Sequence, residues 1–316
     1  MKKITLMIPC YNEEKSLPIL YEDLTRVIKS INKDYNWEIL FINDGSKDNT
    51  INILKELRSK NEKVCYINLS RNFGKEHAML AGIDYASGDC MIILDADLQD
   101  PPSLIPQMIE FWEQGYEDIY AKRRNRGEEP WLRKKLSLAY YWLLQKTTTV
   151  NILQNVGDFR LLDRKCINAL KRYRESERYT KGIFCLIGFK KKEILFDRQD
   201  RVAGYSSFNL YKLFALAIEG LLTFTTLPLR FATILGCITA LIGLIFLCKV
   251  IFKTLIYGEP VAGYPSLITV IILLGGVQLL SLGIIGEYIA RIFNETKKRP
   301  IYLVSEAAGV ELTDIK

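Results

Sequence analysis

The sequence predicts an α/β domain on a mainly parallel sheet with helices on both faces, followed by two transmembrane helices. Three observations predict it. Up to residue 121, short apolar runs alternate with segments of helical period, the pattern of repeated strand–helix units. Further on, Phe231 to Cys248 is eighteen residues without a formal charge, and Ser266 to Gly286 is twenty-one more. Each is long enough, or nearly so, to cross a hydrocarbon core of about 30 Å as a helix. Acids also gather just after the apolar runs, at the carboxyl ends of strands, where open α/β sheets bind ligands.

The elements follow in order. Ile4 to Pro9 is the first strand. Glu14 to Ile31 has helical period, with Leu17, Leu20, Leu24, Val27, Ile28 and Ile31 on one side. Trp37 to Ile42 is a second strand, broken by Asn43-Asp44-Gly45-Ser46. Asp48 to Lys60 is a helix with Ile51, Leu54 and Leu57 inward. Val64 to Leu69 is a strand, Gly74 to Ala86 a helix rich in Ala and Met, Cys90 to Leu94 a strand, Ser103 to Gln114 a helix, and Asp118 to Ala121 a fifth strand.

Composition bounds the class. The chain has 316 residues, 25% charged and 49% hydrophobic, with a formal net charge of +7. These averages hide a split between a mixed region up to about residue 230 and the two apolar runs. The seven cysteines show no C-x-x-C spacing, which is reduced, cytosolic usage. His77 is the single histidine, which excludes a His-rich zinc site, argues against a Ser-His-Asp triad, and reads as an ordinary helix residue. The apolar stretch after Lys2 and Lys3 is too short for a signal peptide, so the N-terminal part is expected in the cytosol.

The expected organisation is a cytosolic domain over 1–227, with interfacial helices at about 131–148 and 208–224. Two spans follow over 228–290, at about 229–252 and 266–290, and a cytosolic tail over 291–316. Arg230 before the first span, and Arg291, Lys297, Lys298 and Arg299 after the second, outweigh Lys249, Lys253 and Glu259 between them. That bias places both termini in the cytosol and the protein in the plasma membrane as a multi-pass protein. The segment from Lys122 to Leu144 mixes cations with Trp131, Tyr140, Tyr141 and Trp142, as a helix on an anionic bilayer surface would. Gly275, Gly276, Ser281, Gly283 and Gly286 supply small residues for helix contacts, within one chain or in a homo-oligomer.

The most informative motif is Asp95-Ala96-Asp97-Leu98-Gln99-Asp100-Pro101-Pro102, entered directly from the apolar Met91 to Leu94. Ionised acids at the end of a buried strand need a cationic partner. A hard divalent ion, Mg²⁺ or Mn²⁺, takes oxygen ligands and shares its shell with substrate phosphates. Taken alone, the motif is also an ordinary strand-to-loop turn. Tyr11-Asn12-Glu13-Glu14 and Asn43-Asp44-Gly45-Ser46 end two other strands at the same sheet edge. Glu13 and Asp44 can accept hydrogen bonds from a base or ribose, and Gly45 permits close approach. After Pro9 no glycine occurs until Gly45, so the G-x-G-x-x-G dinucleotide fingerprint is absent, and no G-x-x-x-x-G-K-[ST] loop occurs either.

These motifs come in a fixed order with Arg71-Asn72-Phe73-Gly74-Lys75, Gly157-Asp158-Phe159-Arg160-Leu161 and Arg201-Val202-Ala203-Gly204-Tyr205-Ser206. From about Ile4 to Arg299 the set resembles the inverting family-2 glycosyltransferases of the dolichol-phosphate mannose synthase type. The two spans make it most similar to the bacterial polyprenyl-phosphate glycosyltransferases. The resemblance implies a GT-A (Rossmann-like) fold, a nucleotide-sugar donor, a divalent metal and a polyprenyl phosphate acceptor, with the product serving cell-envelope glycan modification. By matched position, Asp95, Asp97 and Gln99 lie at the metal. Pro9, Tyr11, Glu13, Asp44, Lys75, Asp95 and Ala96 line the nucleotide-sugar site. Asp158 and Asp97 are the catalytic acids, and Arg124, Arg133 and Arg201 hold the acceptor phosphate. Ser207 stands where the family often has a lysine. UDP-glucose and UDP-N-acetylglucosamine are the favoured donors. A separate flippase is a further expected partner, and nucleic acid is not one. A processive polysaccharide synthase would carry Gln-x-x-Arg-Trp, which is absent; a non-catalytic nucleotide-sugar-binding scaffold is the other alternative.

Overall fold

The computed structural model describes residues 1–124, 156–197, 227–257 and 263–311. They divide into two compact units, one formed by 1–124, 156–197 and 299–311, the other by 227–257 and 263–298. The expected interfacial helices at 131–148 and 208–224 lie outside the described residues.

The first unit is built on an eight-stranded sheet. In chain order its strands are β1 (Lys3–Cys10), β2 (Asn36–Asn43), β3 (Val64–Leu69), β4 (Cys90–Ile93), β5 (Asp118–Arg123), β6 (Val156–Asp163), β7 (Lys191–Phe196) and β8 (Val304–Ala308). Across the sheet they run β7-β5-β6-β4-β1-β2-β3-β8. The centre, β4-β1-β2-β3, is parallel throughout. This is what helical crossovers between successive strands produce. The flanks are mixed: β6 is antiparallel to both β4 and β5, β7 is parallel to β5, and β8 is antiparallel to β3. The sheet is mainly parallel, as the alternating sequence predicts, and its antiparallel pairs are those made by β6 and β8.

The helices are α1 (Leu17–Ser30), α2 (Thr50–Lys60), α3 (Lys75–Tyr85), α4 (Ile105–Glu113), α5 (Arg164–Leu170) and α6 (Thr180–Leu186), with a 3₁₀ turn at Pro102–Leu104. Pro18 stands in the first turn of α1, where a missing N–H costs nothing. Asp163 caps α5 by accepting from the Lys165 N–H at 2.9 Å.

Alternation along each strand divides the core into two layers. Ile4, Leu6 and Ile8 of β1 pack with Leu20 and Leu24 of α1 and with Ile105, Met108 and Trp112 of α4. On the other face Met7, Leu40 and Ile42 meet Ala78, Met79 and Ile83 of α3 and Ile167 and Leu170 of α5. Gly82 lets α3 lie close on β1, since a Cβ there would stand 2.5 Å from Met7 Cγ. On the same face Arg160 of β6 and Asp118 of β5 form a sealed pair, 2% and 0% exposed, with Nη1 3.4 Å from both carboxylate oxygens. The Phe184 ring lies over that guanidinium, 3.8 Å from its carbon.

The segment expected as a tail beyond residue 291 returns to this unit as β8. Tyr66, Ile67 and Asn68 face Ala308, Ala307 and Glu306. The Tyr66 hydroxyl donates to Glu306 at 2.7 Å, and Ser70 N–H donates to Leu303 O at 2.8 Å. The Tyr302 hydroxyl donates to Asp84 at 2.6 Å, beside the forked contacts of Arg174 with the same carboxylate at 2.7 and 2.8 Å. The sequence gives this strand little advertisement: it is five residues long and carries two alanines.

The second unit is a pair of helices packed on each other, α7 (Leu227–Tyr257) and α8 (Tyr264–Thr296). Both are long and apolar enough to cross a membrane, with mean hydropathy 2.1 over Pro228–Phe246 and 1.5 over Leu273–Thr296. Phe231, Leu241, Ile245, Leu279 and Leu282 are exposed, as side chains meant for lipid are. Among the described residues, nothing lies within 4 Å of where a Cβ would stand on Gly275, Gly276, Gly283 or Gly286.

Candidate active site

The site is assembled where the strands end. Loops after β1 and β2 lock to each other through side-chain–backbone bonds. The Asn12 side chain accepts from Lys47 N–H at 2.8 Å, Ser46 Oγ accepts from Asn12 N–H at 2.9 Å, and Thr50 Oγ1 accepts from Glu13 N–H at 3.0 Å. Asn12 takes a left-handed φ of 56°, a conformation asparagine tolerates. Gly45, at φ +62°, is required by contact as well as by conformation. A Cβ there would lie 2.3 Å from the Arg71 carbonyl carbon, so the turn after β2 rests directly on the backbone of the 71–74 loop.

Asp44, expected at a nucleotide, already organises that loop. Its buried carboxylate accepts from Phe73 N–H at 2.7 Å and Gly74 N–H at 2.9 Å. Burial raises its pKa and these two donors hold the rise back. Tyr11 stands half-exposed at the end of β1, and Pro9 pairs with Ile42 within the sheet.

The centre of the site is Lys75, in the first turn of α3. Its Nζ lies 2.6 and 2.8 Å from the two carboxylate oxygens of Asp95, just after β4, and 2.6 Å from Asp158 Oδ2 on β6. The antiparallel direction of β6 makes this possible. Arg160 pairs with Ile93, so the start of β6 reaches the edge where β4 ends. Burial opposes ionisation of Asp158, but Lys75, Lys181 and Arg160 outweigh it and hold the carboxyl below its usual value. Asp158 Oδ1 is buried with no hydrogen-bond partner among the described residues.

Around this bridge lie more acids than one lysine neutralises. Asp97 accepts from Gln99 N–H at 3.2 Å, and Asp100 accepts from Asp95 N–H at 3.3 Å. Leu98 between them has φ 63°, a strained conformation for a leucine and a sign that the turn is held by its surroundings. Burial, then Asp95, pushes Asp100 up to about 7. Burial also raises Glu13, with Asp97, Asp95 and Asp48 adding to it and Ser16 opposing. Ala96 is buried in the same turn.

Among the described residues, no three His, Cys, Asp or Glu side chains converge as a complete cation shell. The surplus of negative charge at Asp95, Asp97 and Asp100, and a buried Gln99 Oε1 without a partner among the described residues, fit a divalent cation whose remaining ligands come from elsewhere.

Of the arginines read from the sequence, Arg124 pairs with Asp197 at 3.4 Å, and both are well exposed. Arg133 and Arg201 lie outside the described residues, as does Ser207. Arg123 is the nearer neighbour of the site: its Nη2 is 3.7 Å from the Cβ position of Gly157, beside Asp158. Sequence reading also missed the 176–181 segment, which packs on the start of α3. Thr180 N–H donates to Glu76 at 2.9 Å, and His77 lies between Phe73 O at 2.6 Å and Ser176 O at 3.0 Å. Only the long-range pairing reveals these residues; no local motif marks them.

Fold and cluster define an α/β protein with a ligand site at the carboxyl edge of its sheet. The chain belongs to the glycosyl transferase family 2, whose model matches residues 5–170, and the GtrB C-terminal hairpin matches residues 227–292. It is 44% identical over 309 residues to an uncharacterized glycosyltransferase of Synechocystis sp., covering 98% of this chain and 96% of that one. It is 43% identical over 305 residues to the SfII prophage-derived bactoprenol glucosyl transferase of Shigella flexneri, covering 96% and 98%. A crystal structure of glucosyl-3-phosphoglycerate synthase from Mycobacterium tuberculosis, in complex with Mn²⁺, UDP and glucosyl-3-phosphoglycerate, is similar with a TM-score of 0.44 and 14% identity. That match covers 70% of this chain and 78% of the other.

Proposed function

We propose that the protein transfers a single hexose, with inversion, from a nucleotide-sugar to a polyprenyl phosphate of the undecaprenyl type. The product is a lipid-linked sugar for glycan modification in the cell envelope. UDP-glucose is the favoured donor, because relatives such as the one from Shigella flexneri are named bactoprenol glucosyl transferases; UDP-N-acetylglucosamine is the second candidate. The observation that carries the reading is the Lys75 bridge between Asp95 and Asp158, which puts the donor-side acid and the Asp-Phe-Arg acid on one ammonium.

In this reaction an acceptor phosphate oxygen bonds to the anomeric carbon of the sugar. The bond from that carbon to the donor diphosphate breaks, and the nucleoside diphosphate leaves with the electron pair. A phosphate monoester has its second pKa near 6, so at neutral pH the nucleophile is largely ionised without help. Asp158 is held below the usual carboxylate range, which makes it a poor base. Its role in this reading is to orient the groups at the reacting centre through Lys75 and its unpartnered Oδ1.

Asp95 and Asp97, with Gln99, would hold Mg²⁺ or Mn²⁺, whose charge would stabilise a departing diphosphate. Pro9, Tyr11, Glu13 and the Asp44-ordered 71–74 loop form the nucleotide side. Arg123 joins Arg124, Arg133 and Arg201 as cations for the acceptor phosphate, where forked contacts suit a dianion. Helices α7 and α8 anchor the protein, with the catalytic unit and both termini in the cytosol.

The test uses membranes carrying the protein, undecaprenyl phosphate, Mg²⁺ or Mn²⁺, and labelled UDP-glucose, UDP-N-acetylglucosamine or GDP-mannose. A lipid-extractable, acid-labile monosaccharide product from UDP-glucose is expected, and none after Asp97→Asn. A long polymer, or binding without turnover for every sugar, overturns the proposal.

A further inference from the structure

We propose that Lys75 is a placeholder for the metal: in the donor-free protein its ammonium occupies Asp95, and a divalent cation must displace it to bind. This rests on the metal reading of Asp95 and Asp97, and it adds an order of events that the reading does not contain.

A lysine ammonium has three N–H groups. Here three carboxylate oxygens lie within 2.8 Å of it: both oxygens of Asp95 and Oδ2 of Asp158. Hydrogen bonds go to Asp95 Oδ2 and Asp158 Oδ2, and Asp95 Oδ1 lies in ion-pair contact beside them, so both oxygens of Asp95 face the ammonium. A cation taking an Asp95 oxygen while the ammonium keeps that oxygen at 2.6 Å would bring two positive centres onto one atom, and their repulsion weakens both contacts.

The surroundings say which way the exchange runs. Asp158 is only 8% exposed at its side chain, whereas Lys75 is 43% and Asp95 28% exposed. The Asp95 end of the bridge is the open one, and the Asp158 end is closed. Lysine also has a flexible four-carbon stem and a compact charge, so it can change partners without moving its backbone. In contrast Asp97 and Gln99 are held by their own strained turn. With Asp95 held by the ammonium, the site is weak for a bare cation. A cation arriving with a nucleoside diphosphate brings phosphate oxygens of its own and a new anion for the released ammonium. Lys75 therefore couples metal binding to donor binding: it suppresses the first without the second, and it moves from Asp95 to the donor's phosphates when both arrive.

A structural lysine and a placeholder make opposite predictions. If Lys75 merely supports the site, its removal weakens metal binding. If it is a placeholder, removal strengthens the binding of metal alone. The experiment is a Mn²⁺ titration of the purified full-length protein in detergent, read by the loss of the free-ion EPR signal, with and without UDP. The variants are Lys75→Met and the double variant Lys75→Met with Asp158→Asn, which leaves no buried acid without its counter-charge.

The expected result for the wild type is weak Mn²⁺ binding alone and much tighter binding with UDP. Each variant should bind Mn²⁺ alone more tightly by on the order of tenfold, and should lose most of the gain from UDP. Unchanged or weaker binding of Mn²⁺ alone in a folded double variant overturns the placeholder while leaving the transferase reading intact. Absence of Mn²⁺ binding in every protein, with UDP or without it, removes the metal site and the placeholder together. Transfer activity in the membrane assay is a separate readout, and its failure alone would count against the proposed function.

Discussion

Two buried charge clusters lie two residues apart on β6, and they are built for different ends. Arg160 and Asp118 are sealed in the sheet, 2% and 0% exposed, under the Phe184 ring. Asp158 is nearly as buried, yet its partner Lys75 is 43% exposed, serves Asp95 as well, and leaves Asp158 Oδ1 without a partner among the described residues. Depth is the same; closure is not. A sealed pair can only stabilise one arrangement of the sheet, while an open one can exchange partners.

Breaking the sealed pair should have the largest effect. Arg160→Met leaves Asp118 with Lys191 at 3.9 Å as its remaining cation. The expected loss of stability is about 3–5 kcal/mol, and adding Asp118→Leu should recover most of it. Thermal melting in detergent measures both, and a single-variant loss below about 1 kcal/mol would mean the pair is not sealed.

The open cluster should respond in rate instead. Asp158→Asn is expected to lower turnover about 10²-fold through misplacement of the reacting groups, with little change in melting temperature because Lys75 keeps Asp95. An unaltered pH–rate profile fits an orienting role; loss of a pH-dependent limb would make Asp158 a base after all.

Next in size is Gly45→Ala, which puts a Cβ 2.3 Å from the Arg71 backbone at φ +62°. A cost of about 1–3 kcal/mol is expected, seen as weaker UDP binding in a calorimetric titration, since the strain falls on the 71–74 loop.

The smallest effect should come from the closed, amino-terminal ends of the strands. There Glu38 accepts from Ser87 and Thr5 and pairs with Lys3 at 3.0 Å. Burial alone would raise its pKa, but these donors outweigh it and hold the carboxyl below the ordinary 4.5. A carboxyl depressed in the folded state stabilises the fold above its unfolded pKa, and that contribution is lost as pH falls through the folded value. Glu38→Gln should therefore be less stable by about 1–2 kcal/mol at pH 7. The difference from wild type should be complete only above the ordinary value of 4.5, and should close in melts as pH falls from there through the folded value.

The central strands and helices were legible because each carries its own period. β1, β2 and β3 alternate between two layers, and α1 and α2 show a single apolar stripe. The acids were legible because they follow those strands directly. What sequence could not supply was pairing at a distance. The antiparallel placement of β6, which brings Asp158 to Asp95, needs Ile93 to find Arg160 across 67 positions of chain. Lys75 was placed with the donor on resemblance, but its double partnership is a fact of three dimensions. Asp44, expected to accept from a base or ribose, also accepts from its own chain's Phe73 and Gly74, which no local motif announces. β8 lies in the expected tail because five residues with two alanines give no periodic signal.

That last strand ties folding to the order of synthesis. β3 presents a raw edge of unpaired N–H and C=O groups until residues 304–308 exist to cover it. Those residues follow both apolar helices along the chain, so a ribosome must deliver the whole helix pair before the sheet can close. The Ser70–Leu303 bond that ends β3 needs a residue from the same late segment, and it adjoins the 71–74 loop. A nascent chain stopped short of the second helix would thus hold an adhesive sheet edge and an unbraced nucleotide loop. Closure of the sheet therefore waits on a strand that the chain reaches only after both apolar helices.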